Sequence, residues 1–172
     1  MVTKARLESK SLTVSTNQNV QLLGFRLDDQ EYALDVGEVV QVVRMVATTR
    51  APKAPEVVEG MINLRGRVIP VINLRKRFSL PPKPLSPDDH LLIAQTDGRV
   101  MALLVDVVSE VLNIPASTLD SAEEVGPQLS EFLSAVAKLG DRLVLILDLN
   151  RVLTLDEERR LDRALAQIPA QA

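Results

Sequence analysis

Apolar positions in this chain alternate in short runs and seldom recur at helical spacing. Leu22, Leu23, Phe25 and Leu27 lead into Asp28-Asp29-Gln30, and Tyr32 and Leu34 follow, a pattern that predicts a hairpin of two short strands. Val36, Val39, Val40, Val42 and Val43 form a further apolar segment, and Pro52 and Pro55 mark a loop over 48–56. Met61-Ile62-Asn63-Leu64, Arg65-Gly66 and Val68-Ile69-Pro70-Val71-Ile72 predict a second hairpin. Pro70 has no N–H for a ladder, so this strand is expected at a sheet edge or at a bulge. Residues 1–19 are rich in Ser, Thr, Asn, Gln and Lys, show neither period, and read as a mobile tail outside the fold. Only the C-terminus reads clearly as helix: Thr154 and Glu157 make a capping box, and Leu161, Leu165 and Ile168 share one face. Shorter helical turns are expected over 74–78 and 149–153.

Sliding the chain against itself exposes an internal repeat. At an offset of 69 positions Leu22, Leu23, Asp28, Ala33, Leu34, Val36, Val39 and Val42 fall on identical residues, Leu91, Leu92, Asp97, Ala102, Leu103, Val105, Val108 and Val111. At an offset of 75, residues 68–74 lie over 143–149 with apolar positions matched throughout. The order of segments is preserved, which predicts two similar all-β halves: a first barrel over 20–80 and a second over 88–153, followed by a C-terminal helix and tail over 154–172. Pro81, Pro82, Pro84 and Pro87 make the joint between the halves stiff and non-helical. Units of this size bury too little surface to be stable alone, so the two are expected to pack around a shared apolar core.

Composition narrows the function. The 172 residues include 22 Val, 27 Leu and 7 Ile, which suits strands, but no Cys, one His and no Trp. Disulfides, thiolate metal sites and a cysteine nucleophile are thereby impossible, and a histidine metal cluster with them. A net charge of −3 offers no footprint for nucleic acid. No apolar run approaches the roughly 20 residues of a spanning helix, and the N-terminus lacks the apolar core of a secretory signal, so a cytoplasmic location is expected.

Candidate chemistry is thin. His90 stands after Asp88 and Asp89 with no Ser or Cys motif and reads as a solvated loop residue; Asp28, Asp29 and Asp97 suit hairpin turns. The scattered glycines match neither phosphate-binding spacing. No enzyme activity and no cofactor are expected. Arg65, Arg67, Arg75, Lys76 and Arg77 form a basic cluster that is either a solvated face or a docking site. In the second reading Arg65, at the tip of a tight turn, presents its fork to a partner, with Leu64 and residues 36–43 as the apolar part of the surface. A small-ligand-binding barrel is disfavoured by the four aromatic residues, Tyr32, Phe25, Phe78 and Phe132.

Several segments resemble the CheW family of bacterial chemotaxis coupling proteins. They are residues 25–34 and 36–43, and above all Gly60-Met61-Ile62-Asn63-Leu64-Arg65-Gly66-Arg67-Val68-Ile69-Pro70-Val71, with 104–112 and 139–143 in the second half. The resemblance implies a mainly β protein of two five-stranded barrels of the Src-homology-3-like type and no catalysis. It implies an adaptor that joins the regulatory domain of the histidine kinase CheA to the cytoplasmic hairpin tip of methyl-accepting chemoreceptors, recruited to membrane-associated receptor arrays without inserting in the membrane. An adaptor in a paralogous pathway, such as twitching or gliding motility or a second-messenger array, has the same physics. Val39, Gly60 and Arg65 match family positions linked to receptor coupling, with Asn63 and Gly66 in the same turn; the kinase-binding residues are unassigned. Two positions depart from the family pattern, Gln41 in place of Glu and Asn73 in place of Asp, and each removes a negative charge.

Overall fold

The computed structural model of the chain describes residues 18–168, so the tail expected over residues 1–19 lies outside the described residues except for its end. There the structure departs from expectation: strand β1 (Asn19–Leu27) starts two residues before Gln21, because Val20 joins Leu22 in an apolar cluster. It is followed by β2 (Gln30–Asp35), β3 (Val39–Arg44), β4 (Val58–Leu64), β5 (Arg67–Asn73), α1 (Leu74–Arg77), β6 (His90–Gln95), β7 (Val100–Val105) and β8 (Val107–Pro115). Then come β9 (Leu119–Asp120), α2 (Pro127–Ser130), β10 (Leu133–Leu139), β11 (Arg142–Leu147) and α3 (Leu155–Ala166). The expected turns after β5 and β11 are present, as α1 and as a 3-10 turn over Leu149–Arg151.

The protein is mainly β, with two Src-homology-3-like subdomains, but the subdomains are not the two sequence halves. One sheet runs β8-β1-β2-β11-β10-β9 and the other β3-β6-β7-β5-β4. Accordingly the first compact unit takes residues up to Gly37 together with 108–151, and the second takes 38–107 together with the chain from Val152. The contiguous barrels expected over 20–80 and 88–153 are corrected by this pairing. Two parallel ladders cause it: β2 joins β11, with Ala33 opposite Ile146, and β5 joins β7, with Val71 opposite Ala102. Each half of the chain therefore completes the sheet begun by the other.

The repeat itself is reproduced register for register. Leu22 pairs with Asp35 and Leu23 with Leu34, while 69 positions on Leu91 pairs with Leu104 and Leu92 with Leu103. Gly60 pairs with Val71 and Met61 with Pro70, while 75 positions on Ala135 pairs with Ile146 and Val136 with Leu145. Even the bulges coincide, one extra residue between Val58 and Gly60 and one between Leu133 and Ala135. Pro70 is not on an edge strand: β5 lies between β4 and β7. The bulge is in β4, and the ladder to β7 starts only at Val71, so the missing N–H of Pro70 falls just outside it. His90 opens β6 opposite Val105, directly after Asp88 and Asp89.

Each unit has its own apolar cluster. Val20, Leu22, Ala33, Ile114, Ala135, Ala137, Val144 and Ile146 form one in the first unit. Ile62, Ile69, Val71, Leu91, Ile93, Ala102 and Leu104 form the other in the second. On the opposite face of β1 and β2, Phe25 and Tyr32 are a directly opposed cross-strand pair whose rings stack with centroids 5.6 Å apart.

Helix α3 is held to the second unit by more than its buried Leu161 and Ala164. Thr154 and Glu157 form the reciprocal capping box. Both Glu157 oxygens accept from the Arg77 fork, at 2.6 and 3.0 Å, and Arg77 Nη1 also donates to the Val152 carbonyl. Arg99 bonds Asp162 at 2.6 Å. Burial pushes the Glu157 carboxyl up, but hydrogen bonds from Arg77 and from the Thr154 backbone outweigh it and leave the carboxyl below its ordinary value. A lowered folded value means that the stabilisation is complete above the ordinary carboxylate value, about 4.3, and disappears as pH falls through the folded value. Glu157→Gln is therefore expected to lose less stability than the parent between pH 5 and pH 3 in thermal melts. Arg77→Ala should cost roughly 1 to 3 kcal/mol at pH 7. Parallel pH profiles for the parent and Glu157→Gln would show that the pair does not hold the helix.

Candidate binding surface

The basic cluster of the sequence separates into distinct roles. Arg75 is buried, its Nη2 is 2.6 Å from Asp106, and its Nη1 donates to the Pro81 carbonyl. This pins the proline-rich segment to the sheet, where Lys83 reaches both Asp89 and Asp106 at 3.0 and 3.3 Å. Burial works against the Lys83 charge, but these two carboxylates prevail and raise its pKa. Lys76 lies 3.9 Å from Glu59 and Arg77 holds α3, as above. The space beside the Arg75 network measures about 10 Å³, room for one water and not for a substrate. Among the described residues no group of His, Asp and Glu could hold a metal ion. Arg65 and Arg67 are what remain: both are exposed, and neither makes an ion pair or side-chain hydrogen bond among the described residues.

Their geometry follows from the turn. Leu64 pairs with Arg67, so Arg65 and Gly66 are a two-residue loop, and both are left-handed, at φ +55° and +85°. That is the geometry matched to the twist of a hairpin, for which Asn-Gly is the usual solution. Asn63 turns its side chain inward, Oδ1 accepting from the Gly66 N–H at 2.8 Å, and braces the loop. A non-glycine residue bearing no local hydrogen-bonding group is strained at Arg65, by roughly 1 to 2 kcal/mol.

The first unit is an internal control. At the equivalent turn between β10 and β11 the place of Arg65 is taken by Gly140, at φ +63°. The place of Arg67 is taken by Arg142, whose fork is bonded to Glu31 at 2.9 and 2.7 Å. Hydrogen bonding to Arg142 holds the Glu31 carboxyl below its ordinary range. In the second unit the residue corresponding to Glu31 is Val100, and Arg67 is left unpaired. One copy has a relaxed, neutralised turn, and the other a strained turn with two free guanidinium groups.

The remaining expected site residues separate. Gly60 is buried in β4; a Cβ there would meet the Thr49 carbonyl at 2.8 Å and Thr48 Cβ at 2.9 Å. It admits the strand-like segment whose Thr49 bridges Met61. Val39 is half-buried on β3, at the other end of the strand order from β4, opposite Ala94. Beside it, Val40 is the extra residue of a bulge and is 54% exposed, with Val42 at 40% and Val46 at 51%. Exposure alternates strictly along β3 through the bulge, so the outward residues keep the period of two. Thr48 and Thr49 carry no signal in the sequence beyond their loop position.

Asn73 also finds its explanation. Its amide donates to Glu59 at 2.9 Å while its oxygen caps α1, accepting from the Lys76 N–H. An Asp could not donate to Glu59. In the first unit the equivalent residues are Ser134 and Asp148, and there Asp148 pairs with Arg151 at 2.9 Å. Gln41 makes no side-chain hydrogen bond among the described residues, and nothing in the structure explains it.

Residues 21–157 match the family of CheW-like domains. The chain belongs to the CheW family. The chemotaxis protein CheW of Helicobacter pylori is 30% identical over 137 residues, 80% of this chain and 83% of that protein. That of Thermotoga maritima is 33% identical over 137 residues, 77% of this chain and 87% of that protein. The crystal structure of the scaffolding protein TtCheW from Thermoanaerobacter tengcongensis superposes with a TM-score of 0.75 at 33% identity, covering 81% of this chain and 96% of that one. The CheW family match therefore spans both units and ends within α3.

Two substitutions test this reading of the surface. Arg65→Asn should raise stability by about 1 kcal/mol in denaturant unfolding, because Asn tolerates the left-handed region; a loss would show that the turn is unstrained. Asn73→Asp should cost roughly 1 to 2 kcal/mol by opposing Glu59, and most of the cost should vanish in the Glu59→Ser background. Additive effects in that double-mutant cycle would separate the two residues.

Proposed function

We propose that the protein is a non-enzymatic chemotaxis coupling adaptor that joins methyl-accepting chemoreceptors to the histidine kinase CheA. Membership of the CheW family supports the class of function, and the scaffolding role named for TtCheW supports an adaptor without chemistry of its own. The observation that carries the site is Arg65: a strained backbone stands at the apex of a turn where the duplicate has glycine, and its guanidinium has no ion pair or hydrogen bond among the described residues. Strain of this kind persists where function requires it.

In this reading the receptor's helical hairpin tip docks against the turn of β4 and β5. Arg65 supplies charge-assisted hydrogen bonds, and Gly66 and Asn63 fix the turn's direction. Gly60 acts indirectly, by letting Thr48 and Thr49 lie against β4. Val39 positions the exposed apolar edge of β3, where Val40 and Val42 offer a second surface, suited to the kinase's regulatory domain. The adaptor shifts the kinase equilibrium by binding its states with different affinity. No described helix is long and apolar enough to cross a membrane. In this reading the protein works in the cytoplasm, recruited to receptor arrays.

Arg65→Ala should weaken binding of the receptor hairpin tip by about 1 to 3 kcal/mol in isothermal calorimetry, with binding of the kinase regulatory domain retained. Undiminished receptor affinity in that variant would remove Arg65 from the site. Failure of the parent protein to bind either partner from its own genome would overturn the adaptor reading.

A further inference from the structure

A second cationic surface lies on α3, most of which continues beyond the family match that ends at residue 157. Lys53, Asp156, Arg160, Arg163 and Gln167 surround an open cleft of about 630 Å³, floored by Ala164. In a chain of net charge −3 this cleft gathers three cations against one carboxylate. Two other cations near α3 are spent on structure, Arg77 on Glu157 and Arg99 on Asp162. Lys53 and Arg163, by contrast, make no ion pair among the described residues, and Arg160 reaches Asp156 only at 4.0 Å. Lys53 also stands in the left-handed region, at φ +71°, on the loop between Pro52 and Pro55. Among the described residues the charge of the cleft is therefore compensated only by Asp156.

We propose that this cleft binds an acidic peptide segment of a partner protein. Its length supports a peptide: Asp156 and Gln167 are eleven residues apart on α3, about 16 Å, which is the span of about five extended residues. Two guanidinium groups and an ammonium line the cleft and suit carboxylates at alternate positions of an extended peptide, which the guanidinium forks bond bidentately. The lining has no aromatic residue on which a base could stack and no apolar depth for an acyl chain. The site is separate from the turn of Arg65 in sequence and in charge pairing, and the inference does not depend on the adaptor reading.

The test is fluorescence anisotropy of a labelled hexaglutamate peptide titrated with the full chain at low salt. Saturable one-to-one binding is expected, weakened roughly tenfold by the exposed double substitution Arg160→Gln/Arg163→Gln. Lys138→Gln, an exposed cation of the first unit, should bind as the parent does. Asp156→Asn should tighten binding, a gain that misfolding cannot produce. Equal losses in Lys138→Gln, no loss in the double variant, or tighter binding of a single-stranded oligonucleotide or of anionic phosphatidylserine vesicles through the same arginines would each overturn the proposal.

Discussion

Two parallel strand ladders organise this protein. β2 accepts β11, and β5 accepts β7, so every hairpin contributed by one half of the chain is closed by the other half. Antiparallel hairpins form locally, but parallel neighbours require long connections, and their register must be specified by side chains and not by a turn. Here the specification is severe. Ala33, Val71, Ala102, Val144 and Ile146 are all buried, and a slip of one residue would turn each of them to the other face. The arrangement also dictates where function can lie: the ladders consume the last three residues of β5 and the middle of β11 and leave the hairpin tips free.

Duplication then supplies two copies of one tip, and their divergence separates structure from function. In the first unit the tip is relaxed by Gly140 and its arginine is neutralised by Glu31. In the second the same positions hold Arg65 in a left-handed conformation and an unpaired Arg67. Behind the tip, Ser134 with Asp148 and Arg151 is replaced by Glu59 with Asn73 and Lys76. These replacements are mutually consistent: a carboxylate moved from the turn after the last strand to the bulge, and the amide of Asn73 followed it. The loss of charge at Asn73 is thus a rearranged hydrogen-bond network within the same copy.

Much of this was legible in the chain. Both hairpins, the duplication, the capping box of α3 and the turn of Arg65 and Gly66 follow from local pattern, since each depends on residues close in sequence. The exchange of strands was not legible, and for a physical reason. Equivalent strands of the two copies carry the same aliphatic alternation, so β5 offers the same apolar face to β2 as to β7, and periodicity cannot choose between them. Pro70 misled in the same way, because its strand is interior but its neighbouring ladder begins one residue later. Gly60 was legible as special but not as a packing glycine, since Thr48 and Thr49 meet it only in three dimensions. The five-residue basic cluster hid three structural cations, whose carboxylate partners Asp106, Glu59 and Glu157 lie up to 80 positions away.

The resulting account is of an adaptor of the CheW family built from two β units. Its central claim is that one molecule holds a receptor and a kinase at once. The most direct measurement is co-sedimentation of CheA with receptor-bearing membranes, with and without the purified protein, assaying kinase activity in the pellet. The account predicts that kinase enters the pellet and its activity changes only when the protein is present, in proportion to the amount of protein bound. Recovery of kinase with receptors at the same level in its absence would contradict it.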